Sequence, residues 1–189
     1  MNLQSSDFEL FDIPARFAQE RATLDARWKA LQREAHPDKF SGHGAAAQRV
    51  AMQWSVRINE AYQRLKDPLR RAAYLCELNG APVNAENNTA MPADFLMQQM
   101  AWRESLDDAV SPAELDQISF EVASARRQAL QKCEQLLDVE HHYAQAVQQV
   151  RALMFIERFA RDIEDRLDAG DQSSSQAGSA PPGTAGRGQ

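Results

Sequence analysis

The tripeptide His36-Pro37-Asp38 is the first place in this chain where residue types and spacing point to chemistry. Proline fixes its own backbone and disfavours helical geometry at the residue before it, so a helix approaching from the N-terminal side must end at His36. Asp38 then holds a carboxylate on a stiff loop, where it can accept hydrogen bonds from the guanidinium of an arginine on another protein. By themselves, the three residues favour a simpler interpretation, a helix terminator with a solvated aspartate.

A helix with a basic outer face is predicted to lead into this corner (residues 36–38). Its buried side follows from apolar residues at helical spacing, namely Leu24, Trp28, Leu31 and Ala35. Lys29 and Arg33 fall on the other side of the helix and therefore face solvent near the loop. A second long helix is predicted after the corner, with apolar positions at Ala47, Val50, Ala51, Trp54, Ile58, Ala61 and Leu65.

A second candidate site lies on the helix predicted over residues 94–109. A helical wheel places four apolar residues on its buried side, Phe95, Trp102, Leu106 and Val110. The other side carries an apolar cluster with acidic neighbours, Leu96, Met97, Met100, Glu104 and Asp108. Phe155, on the last predicted helix, also lies away from the apolar stripe of its own helix. Clustered exposed apolar residues indicate a partner surface, and methionine suits adaptable recognition, but a bundle with wide apolar faces would instead bury some of them.

The elements that carry these sites are all predicted to be helices, and no β pattern occurs. Asp67-Pro68 ends the second long helix and starts a short one that stops at Asn79-Gly80. Ser111-Pro112-Ala113-Glu114 is a capping box that opens another helix, and a final helix is predicted over residues 140–167. We therefore predict an all-α protein, with a helical hairpin and short helices followed by an antiparallel three-helix bundle. The predicted divisions are residues 1–78, a linker at 79–92, the bundle at 93–168 and a disordered tail at 169–189.

Charge and composition narrow the classes of partner. The chain of 189 residues has a formal net charge of −6, which argues against general nucleic-acid binding. Residues 1–78 hold 12 basic and 10 acidic residues, whereas residues 79–189 hold 9 and 17, so we expect two surfaces with different partners. The apolar runs are too short to span a bilayer, and no membrane partner is expected. The start, MNLQSSDFELF, lacks the basic and apolar regions of a secretory signal, and we expect a cytoplasmic protein.

Metal, cofactor and enzyme chemistry find no support in the sequence. The two cysteines, Cys76 and Cys133, are far apart, and Cys133 falls on an apolar stripe typical of a buried thiol. His141 and His142 are adjacent, so their side chains diverge on a helix. A nucleophile–base motif and a phosphate-binding glycine loop are both missing from the sequence. We therefore expect a binding protein without a metal or cofactor, and not an enzyme.

Four short motifs, taken together, resemble the J-domain, the module through which co-chaperones act on Hsp70 chaperones. They are Phe8-Glu9-Leu10-Phe11, His36-Pro37-Asp38-Lys39, INEAY at residues 58–62 and KDPLRRAAY at residues 66–74. The resemblance implies that His36, Pro37 and Asp38 trigger ATP hydrolysis by an Hsp70. It also implies that the acidic surface of the Hsp70 docks on basic residues near the corner, here Arg27, Lys29, Arg33 and Lys39. Two positions depart from the pattern: Asp25 stands where many J-domains carry a basic residue, and Ala35 replaces the usual aromatic residue.

The order of the two predicted domains resembles the HscB family, the J-proteins of iron–sulfur cluster assembly. In that family the three-helix bundle binds the cluster scaffold protein IscU, and the matching positions here are Leu96, Met97, Met100, Glu104, Asp108 and Phe155. Ala101 departs from the family pattern, because that position often carries an acidic residue. The resemblance implies a specialised Hsp70 of the HscA type, to which the chain delivers an IscU-like scaffold. The alternative is a generic J-domain co-chaperone that delivers other client proteins.

Overall fold

The computed structural model describes residues 4–40, 42, 44–84 and 91–177, and the backbone alone for residues 170–177. Over these ranges the chain forms helices joined by short connections and contains no strand, so the predicted all-α class is confirmed. The α-helices of this part of the chain are α1 Asp7–Phe11, α2 Arg21–Ala35, α3 Ala45–Lys66, α4 Pro68–Leu78, α5 Ala93–Asp108, α6 Pro112–Glu134 and α7 Tyr143–Ala177. A 3-10 turn, Pro37–Phe40, separates α2 from α3, and a π-helical turn, Gln135–Val139, follows α6.

The hairpin of α2 and α3 is antiparallel and closes over an apolar core. Leu24 of α2 is buried against the inner side of α3, where Ile58 and Leu65 are inaccessible to solvent. Each such side chain stabilises the fold by about 1.5–3 kcal/mol through its removal from water. Polar contacts fix the register, because the Trp28 indole donates to Asn59 at 2.9 Å near the middle of the hairpin. The spacing of apolar residues therefore suffices to form the two helices that hold the corner.

Helix α1 is anchored to this hairpin through a buried carboxylate. Ser6 and Glu9 form a capping box that starts the helix. Asp7 is fully buried and pairs with Arg57 at 2.6 Å and with Arg64 at 2.9 Å. Removing one partner of a buried ion pair typically costs about 3–5 kcal/mol, because the other charge is left without compensation. These ion pairs fix the position of α1, although the helix has only 5 residues.

Helix α4 begins and ends at the residues that the sequence predicts. The Asp67 carboxylate accepts a hydrogen bond from the Arg70 backbone at 3.0 Å, and Pro68 occupies the first helical position, where its missing N–H costs nothing. At the other end Gly80 has a φ of +75°, the left-handed conformation that suits glycine after a helix. Both predicted boundaries are confirmed.

Helices α5, α6 and α7 form the predicted antiparallel three-helix bundle. Helices α5 and α7 run parallel to each other. Phe95 contacts Phe155, and further along both helices Trp102 stacks on Phe159. Helix α6 runs the opposite way and starts from the capping box, in which Ser111 donates its backbone N–H to Glu114 at 3.0 Å. The buried apolar residues of this part include Leu115, Ile118, Val122, Ile156 and Ile163.

Backbone contacts divide the described residues into two compact units. One comprises those of Met1–Met91 and Gln128–Met154, and the other comprises those of Pro92–Arg127 and Phe155–Gln189. The grouping follows packing, whereas the predicted domain divisions at residues 78 and 93 follow sequence motifs and composition. Those divisions stay a prediction, and residues 85–90 of the predicted linker lie outside the described residues.

Hydrogen bonds join the π-helical turn after α6 to the N-terminal part of the chain. The Asp138 carboxylate accepts hydrogen bonds from the backbone N–H groups of Phe17, at 2.6 Å, and Ala18, at 2.8 Å. The buried guanidinium of Arg71 donates to the Phe17 carbonyl at 2.7 Å and lies over the Phe17 ring. Burial lowers the pKa of Arg71, but an arginine stays charged at any ordinary pH. Asp138 and Arg71 thus clamp the connection between α1 and α2.

Two residues predicted to be buried are exposed. Helix α5 ends at Asp108, and the extended backbone of Ala109 turns Val110 into solvent, where it is 91% exposed. The last residue of α2, Ala35, lies beside Ser55 of α3, whose hydroxyl donates to the Ala35 carbonyl at 3.2 Å. Val50 comes before that point on α3, so α2 does not cover it and it is half exposed. The first turns of α3 therefore extend beyond the helix that covers the rest of it.

The last helix differs from the prediction at both ends. It starts at Tyr143 because His141, with a φ of 54°, interrupts the helical backbone. It continues to Ala177, past the predicted end at Leu167, because the intervening polar residues contain no proline. The predicted disorder of residues 178–189 lies outside the described residues. In the described ranges, no helix has both the length and the apolar character needed to cross a membrane.

Candidate functional site

The corner at residues 36–38 is built as the sequence predicts. His36 follows α2 with an extended backbone, and Pro37–Phe40 forms a 3-10 turn closed by a hydrogen bond from Lys39 to the His36 carbonyl at 3.1 Å. The His36 Nδ1 atom accepts a hydrogen bond from the Asp38 backbone at 3.3 Å and lies 3.6 Å from the Asp38 carboxylate. The Asp38 side chain is 90% exposed. The turn and the imidazole thus fix the backbone while the carboxylate stays accessible to a partner.

The four basic residues predicted near the corner are of two kinds. Lys29, Arg33 and Lys39 are exposed, and none of them forms an ion pair with another described residue. Arg27 is half-buried, and its guanidinium binds both the carboxylate and, at 3.2 Å, the carbonyl of Asp12. The charge of Arg27 is therefore largely offset within the chain, whereas the other three side chains can meet an acidic partner.

Asp25, one of the departures from the J-domain pattern, is engaged within the hairpin. Its carboxylate accepts hydrogen bonds from the Tyr62 hydroxyl at 2.7 Å and from Arg21 at 2.8 Å. These hydrogen bonds, that of Tyr62 above all, lower the pKa of Asp25 below its ordinary value of 3.8. The charge of Asp25 is offset by its neighbour Arg21, and its hydrogen bond with Tyr62 joins α2 to α3.

Ala35, the other departure, borders an apolar cavity that the sequence analysis missed. The cavity has a volume of about 550 Å³, and its walls include Phe40, Val50 and Trp54. An aromatic side chain at position 35 is large enough to fill part of this space, and alanine leaves it open. The sequence does contain a signal for it, because Ala35 faces the alanine-rich start of α3, AAAQRVA.

The apolar cluster of α5 is exposed. Met97 and Met100 are 70% and 72% exposed, and Leu96 is 44% exposed. Glu104 and Asp108 follow on the same helix and are exposed as well. We call this surface the α5 patch, which consists of Leu96, Met97, Met100, Glu104, Asp108 and Phe155. The possibility that the bundle buries its methionines is therefore excluded for α5.

Phe155 lies at the edge of the α5 patch and is held there by aromatic neighbours. The ring is half-buried, meets Phe95 edge-on at a centroid distance of 5.9 Å, and stacks on Phe159 at the same distance. The guanidinium of Arg103 lies 5.6 Å from the centre of the Phe155 ring. Because Phe95 and Arg103 both belong to α5, Phe155 packs against the helix that carries the rest of the patch. The prediction of an outward Phe155 is thus correct for part of the ring.

Next to Phe155 is a small crevice that the sequence analysis also missed. Its volume is about 270 Å³, and its charged lining residues are Arg103, Asp107, Arg158 and Asp162. Arg103 lies eight residues after Phe95 and hence on the same side of α5, so helical spacing contained a signal for it. The crevice extends the polar edge of the patch towards α7.

Histidine, cysteine and acidic side chains are the groups of this chain that could hold a metal. The described residues contain no cluster of three or more that is suited to a metal ion. Cys76 and Cys133 are free thiols and fully buried, as expected for Cys133. Burial raises the pKa of Cys76 to about 11 and that of Cys133 to about 12, so both thiols stay protonated at neutral pH.

A helical hairpin that ends in an exposed His-Pro-Asp corner, followed by a three-helix bundle, defines a J-domain protein with an additional helical domain. Comparisons with known proteins narrow this class. The family model described as "HSCB C-terminal oligomerisation domain" matches residues 91–164. The "Co-chaperone protein HscB homolog" of Burkholderia thailandensis is 48% identical over 171 residues, which cover 89% of this chain and 97% of that protein. The chain belongs to the HscB family of co-chaperones.

Two solved structures share the fold of this chain. "Chaperone HscB from Vibrio cholerae" matches with a TM-score of 0.76 and 33% sequence identity, over 87% of this chain and 99% of the other. The human co-chaperone protein HscB matches with a TM-score of 0.79, over 90% of this chain and 84% of the other. Its sequence identity of 24% makes it a likeness of fold alone.

Proposed function

We propose that this chain stimulates the ATPase of a specialised, HscA-like Hsp70 and delivers an IscU-like iron–sulfur scaffold protein to it. Residues 1–78 serve as the J-domain and residues 93–168 as the scaffold-binding domain. The chain acts by binding and performs no catalysis itself, and its place of action is the cytoplasm. The observation that carries the proposal is the exposure of two unlike surfaces in one co-chaperone, the Asp38 carboxylate and the α5 patch.

The Hsp70 arm of the proposal rests on the chemistry of the corner. Asp38 pairs with an arginine of the Hsp70, while Lys29, Arg33 and Lys39 meet its acidic surface. A ligand shifts a conformational equilibrium only by its differential affinity for the two states, so Asp38 must bind the hydrolysis-competent state more tightly. The exposure of the carboxylate and the stiffness of its turn support this role, because little ordering is needed when the pair forms.

The scaffold arm rests on the composition of the α5 patch. Leu96, Met97 and Met100 offer apolar surface to a partner, and Glu104 and Asp108 offer acidic contacts beside it. Exposed apolar clusters of this kind mark interaction sites, and methionine adapts to the shape of its partner. Phe155, supported from behind by two rings, adds a rigid aromatic group of the type that often dominates binding energy.

An ATPase assay with and without the scaffold tests the whole proposal. We expect the chain alone to stimulate a purified HscA-like Hsp70, and the chain with a purified IscU-like scaffold to stimulate it by more than the sum of their separate effects. Absence of stimulation by the chain would reject the Hsp70 arm. Stimulation to which the scaffold adds nothing would reject the scaffold arm and favour a generic J-domain co-chaperone with other clients.

A further inference from the structure

The described methionines differ in their access to solvent. Met97 and Met100 are 70% and 72% exposed and lie three residues apart on α5. Met52 on α3 is 59% exposed and Met154 on α7 is 41% exposed, while Met91 is half-buried. Residues three apart are neighbours on a helix surface, so the side chains of Met97 and Met100 are adjacent within the α5 patch.

Exposed thioethers are oxidised by peroxides. The methionine sulfur attacks one oxygen of the peroxide, the S–O bond forms and the O–O bond breaks. The sulfur loses two electrons and becomes a sulfoxide, and hydrogen peroxide, which accepts them, leaves as water after proton transfer. The product is polar and chiral, and thiol-dependent reductases convert it back to methionine.

The two cysteine thiols of the described chain, unlike the exposed methionines, are protected. Cys76 and Cys133 are both inaccessible to solvent. Oxidation of a thiol proceeds through its thiolate, and burial raises the pKa of each thiol, so almost no thiolate is present at neutral pH. The exposed methionines are therefore oxidised before either cysteine.

We propose that Met97 and Met100 form an oxidation site at which peroxides switch off the binding of the scaffold partner. The inference rests on the proposed function, because it takes the α5 patch as the scaffold-binding surface. A sulfoxide places a strong dipole where the interface requires an apolar side chain, and burying a polar group without a hydrogen-bond partner is unfavourable. Each sulfoxide is expected to weaken scaffold binding about tenfold, and reduction restores the affinity.

The test uses the full chain and hydrogen peroxide. The chain is oxidised alone, the peroxide is removed with catalase, and sulfoxide at each methionine is quantified by peptide mass spectrometry. Affinity for a purified IscU-like scaffold is then measured by calorimetry, before oxidation, after oxidation and after treatment with methionine sulfoxide reductases. We expect Met97 and Met100 to be oxidised first, the affinity to fall at least tenfold with their oxidation, and the reductases to restore it.

Two variants assign the effect to these residues. In Met97→Leu with Met100→Leu, the ratio of affinities after and before peroxide should stay near one, because leucine cannot be oxidised. Met52→Leu removes another exposed methionine, far from the α5 patch in the sequence, and should lose affinity on oxidation as the unmodified chain does. Equal loss in the double variant, or full affinity despite oxidised Met97 and Met100, would overturn the inference. An untreated chain that fails to bind the scaffold would instead refute the scaffold arm of the proposed function.

Discussion

The corner and the α5 patch are two candidate binding surfaces, and they are constructed in different ways. The corner spans three consecutive residues, and its central group is a single exposed carboxylate on a backbone that is fixed by a proline, a 3-10 turn and an imidazole. The α5 patch is spread over about four turns of α5 and one residue of α7, and the ring of that residue, Phe155, is positioned by two neighbouring rings. The corner thus presents a single fixed charge, whereas the α5 patch presents an extended, largely apolar helix face.

Because the two surfaces are built differently, they should respond differently to perturbation. A fixed charge acts through one strong contact, so a single isosteric change should remove its effect. An apolar face distributes its binding energy over several side chains, so it should lose affinity in steps. Salt should act on the charge more than on the face, because screening weakens interactions between exposed charges.

The largest expected effect comes from Asp38→Asn. The substitution keeps the size of the side chain and removes its charge, and losing one member of a desolvated charge pair costs about 2–5 kcal/mol. Stimulation of the HscA-like Hsp70 should therefore disappear in a steady-state ATPase assay. The unfolding temperature should not change, because the side chain is 90% exposed. Asp116→Asn, at another exposed aspartate, serves as the control, and normal stimulation by the Asp38 variant would exclude the assigned role.

The next largest effect is expected from Leu96→Ala with Met97→Ala. Each truncated side chain should cost about 1–2 kcal/mol of scaffold affinity in calorimetry, and adding Phe155→Ala should abolish binding. Stimulation without scaffold depends on the corner and should persist. Phe120→Ala is a matched control, because Phe120 is 65% exposed on α6 and lies outside the patch. An unchanged affinity in the double variant would rule out the α5 patch as the scaffold site.

A smaller effect separates the basic residues near the corner. Arg33→Ala should weaken Hsp70 stimulation by at most about 1 kcal/mol and reduce its dependence on salt, since the exposed Arg33 has no ion pair with another described residue. Arg27→Ala should change both quantities less, because Arg27 already binds Asp12. The measurement is the half-maximal concentration for stimulation at several ionic strengths. The same salt series should change scaffold affinity less, and an equal response of both arms would contradict the comparison.

The smallest expected effect concerns Asp25 at low pH. Its pKa is lowered in the folded chain, so its contribution to stability is present above the ordinary value of 3.8 and is lost as the pH falls through the lower folded value. Asp25→Asn should therefore make the unfolding temperature less sensitive to acid below that pH, with little change in Hsp70 stimulation. A variant with the same acid sensitivity as the unmodified chain would show that the Tyr62 and Arg21 contacts do not stabilise the fold.

Much of this architecture could be predicted from the sequence. Apolar spacing gives α2 and α3, capping residues give the starts of α4 and α6, and Pro37 gives the corner, because each of these signals acts over a few residues. The prediction that Val110 is buried is wrong because α5 ends at Asp108, one residue before the predicted end at residue 109. Periodicity does not say where a helix ends. The π-helical turn Gln135–Val139 was not predicted, since its residues fit an α-helix equally well.

Some features of the candidate surfaces can likewise be predicted from the sequence, and others depend on the tertiary structure. A helical wheel places Met97 and Met100 away from the buried stripe of α5, but it leaves open whether the bundle covers them, and only the structure shows that both are exposed. The half-buried state of Phe155 depends on Phe95 and Phe159, and only the tertiary structure brings all three rings together. The cavity beside Ala35 likewise depends on where α2 ends relative to α3.

The hydrogen bonds between Asp138 and the connection between α1 and α2 have a consequence for the folding of the chain during its synthesis on the ribosome. Asp138 lies 121 residues after Phe17 and 120 after Ala18, whose N–H groups it binds. A ribosome adds about 5–20 residues per second, so roughly 6–24 seconds pass between the synthesis of this connection and that of its anchor. During that interval water must solvate both peptide groups. The N-terminal region of the nascent chain therefore reaches its native structure only after most of the polypeptide has been translated.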